Sequence, residues 1–137
     1  MTFQKELSCG MLYINILRVG EDCQILLSGG SRPHIGCTVL AVPRPSLSGD
    51  GHTSATSSVL NVTGHKDEAI CRYLAEKAAA AYGCIVCCSG GFHVDHITED
   101  QICELMSALD EVPLETYQKS QGSEFNKFRK MDSPFLC

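Results

Sequence analysis

Ser57-Ser58-Val59-Leu60-Asn61-Val62-Thr63-Gly64-His65-Lys66-Asp67-Glu68-Ala69-Ile70 is where the chain changes its hydrophobic period. Residues 53–62 are rich in Ser, Thr and Val, the composition of a strand. Beyond Gly64, the apolar residues Ile70, Leu74, Ala78 and Ala81 recur at helical spacing, Asp67 and Glu68 occupy the first turn, and Gly83 stands just past the end. Acidic residues at the start and glycine at the stop are the terminal chemistry of a helix, so residues 65–82 are predicted helical. One such switch, with strands before it, predicts an α+β fold.

Upstream of the switch the pattern is that of an antiparallel meander. Leu12, Ile14 and Ile16 alternate with Tyr13, Asn15 and Leu17, giving a strand over residues 11–18, which Gly20-Glu21-Asp22 turns. Further strands are expected at 23–28, 35–42 and 53–62, the one at 35–42 stopped at Pro43 because Pro45 follows so closely. Residues 43–52 form a long exposed loop. Downstream, residues 84–89 read as a fifth strand, and Thr98-Glu99-Asp100-Gln101 matches a capping box opening a helix with Ile102, Leu105, Met106 and Leu109. The chain turns polar after Pro113, and Ser120-Gln121-Gly122-Ser123 breaks any helix there. The expectation is a five-stranded, mostly antiparallel sheet with two helices, one domain over residues 1–137 and a loose tail from about 120.

That order has a geometric consequence. In a four-strand meander the turn before the third strand and the end of the fourth share one end of the sheet. The first helix starts there and climbs back, so the fifth strand runs parallel to the fourth through a right-handed crossover and finishes at the same end. Three histidine-bearing turns then meet on one rim: Gly29-Gly30-Ser31-Arg32-Pro33-His34-Ile35-Gly36, Thr63-Gly64-His65-Lys66-Asp67-Glu68 and Ser89-Gly90-Gly91-Phe92-His93-Val94-Asp95.

The 137 residues, 44% of them hydrophobic, suit one domain with a real core. A net charge of -5 from interspersed acids, with no Lys/Arg cluster, lacks the electrostatic footprint of a nucleic-acid or anionic-membrane binder. The first ten residues have no basic segment followed by an apolar one, and no apolar run is long enough to span a bilayer, so a cytoplasmic protein is expected. Nine cysteines, an odd count, fit reduced thiols better than a disulfide framework. Cys84 and Cys87 lie three apart on a strand and face opposite ways, a poor arrangement for chelating one ion.

The rim has the chemistry of an anion site: helix N-termini, Gly29, Gly30 and Gly91 in turns that let a ligand near the backbone, and Arg32 and Lys66 as cations. Asp67 and Glu68 could instead merely satisfy the helix dipole, and the glycines merely permit turns. A metal is the sharper variant, since His34, His65 and His93 could supply three imidazoles and leave a position open. His93-Val94-Asp95-His96 also resembles a local chelate, although His96 is expected to face solvent; His52, in the long loop, is assigned nothing.

Gly29-Gly30-x-x-Pro33-His34-Ile35-Gly36, His65-Lys66-Asp67 and Gly91-x-His93-Val94-x-x-Ile97-Thr98 resemble the pattern of the LpdD-like proteins, small partners of gallate-type hydroxyarylic acid decarboxylases. The resemblance spans about residues 11–110. It implies a non-catalytic chaperone that binds prenylated flavin mononucleotide (FMN), or FMN itself, and helps equip a UbiD-type decarboxylase with its cofactor. It also implies an α+β sandwich similar to proteasome assembly chaperones, as a homodimer. The positions it carries over are Gly29, Gly30, His34, His65, Lys66, Asp67, Gly91 and His93, to which the rim argument adds Arg32. Two other readings stand beside it. One is a small metal-dependent enzyme with His34, His65 and His93 as ligands of a divalent ion and Asp67 or Asp95 as general base. The other is a pure assembly module.

Overall fold

The computed structural model describes residues 1–64 and 67–115; the expected tail, and the residues His65 and Lys66, lie outside the described residues. The elements are β1 (Thr2–Leu7), β2 (Gly10–Val19), β3 (Asp22–Gly30), β4 (Cys37–Pro45), β5 (Thr53–Asn61), α1 (Glu68–Tyr82), β6 (Val86–His93) and α2 (Glu99–Asp110). The α+β class holds, but the sheet has six strands where five were expected, and it is mixed.

The additional strand is β1, which forms a hairpin with β2 in the register Leu7↔Gly10 to Thr2↔Asn15. Its inward positions are Phe3, Lys5 and Leu7, and the lysine interrupts what would otherwise read as alternation. Lys5 Nζ pairs with the Glu111 carboxylate just beyond α2. An inward-pointing charge on an edge strand discourages further strand pairing, at the cost of obscuring the strand in the sequence.

The strand order is β1-β2-β3-β6-β4-β5, which corrects the expected meander. The last strand inserts between β3 and β4, parallel to the former (Cys23↔Val86 to Gly30↔His93) and antiparallel to the latter (Cys37↔Gly90 to Ala41↔Val86). It shares the direction of β5 but is separated from it by β4. A central place suits the sequence of β6, whose Val86 and Cys88 are fully buried. The third expected strand also runs on through Pro43 to Pro45. Pairing with β6 stops at Ala41, so beyond it β4 has a free side where a proline forfeits no ladder bond.

Both helices pack on one face of the sheet. Leu12, Ile14, Ile16, Ile25, Leu27 and Val39 point into that core and meet Ile70, Leu74, Ala75, Ala78 and Ala79 of α1 with Leu105 and Leu109 of α2. Ala78 and Ala79 present almost no side chain, which allows the helix to sit close to the strands. The described part of α1 begins at Glu68 and ends on Gly83, at φ +66°, whose N–H donates to Ala79 O at 2.9 Å. The capping box of α2 is formed as the sequence predicts: Thr98 Oγ1 accepts from Gln101 N, and the Gln101 side chain accepts from Thr98 N. No helix of the described residues is long and apolar enough to cross a membrane. All eight described cysteines are free thiols, and Cys137 lies outside the described residues.

Candidate functional site

The topology differs from expectation, yet the rim survives. The end of β3, the residues before β4, the N-terminus of α1 and the end of β6 meet at one end of the sheet, because β6 is parallel to β3 and ends beside it. Gly29, Gly30, Arg32, His34, Asp67, Gly91 and His93 are thereby brought together.

Asp67 is the centre of the arrangement. It is the N-cap residue of α1, but its side chain makes no capping bond. The carboxylate turns to the sheet instead, where Oδ1 accepts from Phe92 N at 2.9 Å and Oδ2 lies 3.0 Å from His34 Nε2. At 6% exposure it is the one polar residue buried among the core of the described chain. The dipole role considered for Asp67 therefore falls to Glu68, which bridges Arg72 and Asn61. The His34 Nδ1 is 3.1 Å from Arg32 O. Both of these atoms facing the imidazole are acceptors, so a proton on either ring nitrogen has a partner.

Outside this pair lies a more exposed group. Arg32 donates to Asp95 Oδ1 at 2.9 Å, and the same guanidinium nitrogen is 2.8 Å from His93 Nε2. His93 Nε2 is also 3.0 Å from Asp95 Oδ1. One nitrogen cannot accept from a guanidinium and donate to a carboxylate at once, so the tautomer of His93 decides which of the two contacts is a hydrogen bond. The hydrogen bond from His93, and next the Arg32 charge, hold the Asp95 carboxyl below its ordinary range. The rings of His34 and His93 meet edge to face, 5.8 Å between centroids. His96 is exposed, as expected, and takes the left-handed conformation at φ +55°.

The glycines turn out to face protein. A Cβ on Gly36 would lie 1.8 Å from Asp67 Oδ2, and one on Gly91 would lie 2.9 Å from two atoms of the His34 ring. On Gly30 it would meet His93 O at 2.1 Å, and on Gly29 Met11 O at 2.3 Å. The absent side chains of Gly36 and Gly91 are what allow the Asp67–His34 pair to lie against the sheet edge, whatever else the rim binds. Gly36 belongs to the first histidine turn but carries no site role in the sequence reading; only its distance to Asp67 reveals its part.

His65 and Lys66 fall outside the described residues, so the three-histidine set is not assembled here. Among the described residues no group of three or more His, Cys, Asp or Glu side chains is arranged to hold a metal ion. Both ring nitrogens of His34 already face protein acceptors, which does not favour the divalent-metal reading.

Fold and site together define a class, a small α+β domain in which a buried carboxylate faces a half-buried imidazole, beside an exposed arginine and a second half-buried imidazole, on one sheet rim. The chain belongs to the LpdD-like prenylated flavin chaperone family: the family model for the prenylated flavin chaperone LpdD-like domain matches residues 9–121. No curated protein matches the chain.

Proposed function

We propose that this protein is a non-catalytic chaperone that binds prenylated FMN and supports maturation of a UbiD-type decarboxylase in the cytoplasm. Family membership supports the flavin and the chaperone role. The observation that carries the site is the grouping of Arg32, His34 and His93 around the buried Asp67. Arg32 has a side chain 69% exposed, and a guanidinium with the His93 imidazole beside it fits a phosphate better than any neutral group. In this reading Arg32 and His93 hold the phosphate, with Lys66 and His65 as further ligand residues. Asp67 with Gly36 and Gly91 keeps His34 in place, while Gly29 and Gly30 let the end of β3 lie close to Met11 and His93.

Asp95 makes the reading specific, because its carboxylate competes with the ligand for Arg32. Calorimetric titration with prenylated FMN, FMN and inorganic phosphate tests it. Arg32→Ala and His93→Ala are expected to weaken flavin binding at least about tenfold, more at low salt, while Asp95→Asn strengthens it. A parent protein that binds neither flavin would end the proposal. Binding that survives both substitutions would move the ligand away from this rim.

A further inference from the structure

The loop of residues 31–36 joins two chemically different ends of the rim. Its first part lies on the β3–β6 side, where Ser31 N donates to His93 O at 2.8 Å and Arg32 meets His93 and Asp95. Its last part lies on the β4–β5 side, where Gly36 N donates to Gly90 O at 3.0 Å and Val62 N donates to Gly36 O at 2.8 Å. The first end is charged. The second carries Ile35, Leu60 and Val62, which are 63%, 77% and 48% exposed.

Backbone pairing brings these three residues together. Ile35 directly precedes Gly36, whose carbonyl accepts from Val62, and Leu60 pairs with Thr38 one step further along the ladder. Leu60 and Val62 are two apart, the spacing that shares a face of a strand. Asn61 between them turns to Glu68, to which its Nδ2 donates at 2.9 Å. Residues 33–36 and 60–64 contain no Asp, Glu, Lys or Arg. Exposed aliphatic residues scattered singly are ordinary on a protein surface. These three are grouped beside an anion site, and none of them belongs to the core.

We propose that Ile35, Leu60 and Val62 form a shelf for an aromatic ring system whose phosphate is held at Arg32 and His93. The proposal rests on the phosphate reading of the rim and extends it to the other half of the ligand. Three residues of extended chain from Arg32 to Ile35 reach at most about 10 Å. The two strand spacings from β3 to β4 also amount to roughly 10 Å. The ribityl chain of FMN separates its phosphate from its isoalloxazine ring by a comparable length. A sugar phosphate without a ring satisfies one end only. Aliphatic side chains against one face of a flat ring gain hydrophobic and dispersion energy and require no charge on the ligand. The class selected is therefore a phosphomonoester joined by a flexible spacer to a large planar ring.

Calorimetry with FMN and with inorganic phosphate, on the parent and on Ile35→Asn, Val62→Asn and Arg32→Ala, tests it. The parent should bind FMN at least about a hundredfold tighter than inorganic phosphate. Each asparagine should weaken FMN about tenfold and leave inorganic phosphate within about twofold, whereas Arg32→Ala should weaken both ligands. Ile35→Leu keeps the apolar area and should bind FMN as the parent does. Ile35 and Val62 lie outside the core, so their variants should fold, which circular dichroism checks. Undiminished FMN affinity in the folded asparagine variants, with FMN lost in Arg32→Ala, overturns the shelf and leaves the phosphate reading standing. Equal weakening of inorganic phosphate and FMN by the asparagines also overturns it, because the two residues would then be acting on the anion site. A parent that binds neither ligand ends both readings.

Discussion

Replacing Asp67 by Ala and by Asn separates what its charge contributes from what its hydrogen bonds contribute. In the parent the carboxylate accepts the Phe92 amide at 2.9 Å and faces His34 Nε2 at 3.0 Å while almost fully buried. Alanine leaves the Phe92 N–H without that acceptor at the end of the central strand, which costs about 1–3 kcal/mol. It also strands His34, whose side chain is 22% exposed, so that water recovers only part of the lost bond. The two losses together come to about 3 kcal/mol, a large share of a stability near 5–15 kcal/mol. Asparagine behaves differently. Its amide oxygen can keep the Phe92 bond and its NH₂ can donate to an unprotonated His34 Nε2, with Nδ1–H still donating to Arg32 O. Only the charge is lost, for about 1 kcal/mol. Urea unfolding followed by circular dichroism should therefore separate the two variants by about 2 kcal/mol, and thermal melts by roughly 8 °C for a chain of this length. Equal destabilisation within about 0.5 kcal/mol, or a loss under about 1 kcal/mol for alanine, would refute the claim that the buried carboxylate organises this rim.

Gly36→Ala should act as an indirect Asp67 variant: its Cβ, 1.8 Å from Oδ2, forces the carboxylate away, so stability and flavin binding should fall together, whereas Gly20→Ala, in open space at φ +62°, should cost only about 1 kcal/mol and leave binding alone. Thr98→Ala removes one half of the α2 capping box and should lower stability by about 1 kcal/mol in the same urea assay, with no effect on the ligand. Burial, and then the neighbouring Cys84, push the Cys23 thiol up to about 11 from an ordinary value of 9.0. The unfolded chain releases this proton first, so stability is constant below pH 9 and falls as pH rises towards 11, by about 2 kcal/mol. Urea midpoints measured at pH 8, 9 and 10 should show that slope in the parent and a shallower one in Cys23→Ala, the buried Cys37 and Cys71 thiols being raised in the same direction.

Hydrophobic period reported the elements well where one face of an element is buried and the other is not. The start of the helical half near Gly64, the Gly83 stop and the Thr98–Gln101 box were all legible because their signals are local. Strand order was not legible, since β6 has the same composition whether it pairs with β5 or enters between β3 and β4. What decides is the segment 31–36, which must cross over a strand to start β4, and no residue type marks that length as a crossing. The rim was legible despite the wrong order because both the expected and the observed arrangement leave the ends of β3 and β6 at the same side. β1 went unseen for a different reason: Lys5 occupies an inward position, and only its long-range partner Glu111 explains it.

The insertion of β6 is also what creates the site. Had β6 paired with β5 at the sheet edge, Gly91 would stand at least a strand away from the residues before β4, and Asp67 would have no Phe92 amide to hold beside His34. Central placement puts the β6 backbone between the turn that carries His34 and the end of β3, with Gly36 N donating to Gly90 O at 3.0 Å and Ser31 N donating to His93 O at 2.8 Å. Those two bonds tie the loop carrying Arg32 and His34 to the strand carrying His93 at both of its ends. The loop therefore crosses the end of β6 as a strap anchored on either side, and the backbone that carries its basic groups is held before any ligand arrives. A site assembled in this way loses little backbone conformational freedom on binding, which favours affinity for whatever ligand the rim takes.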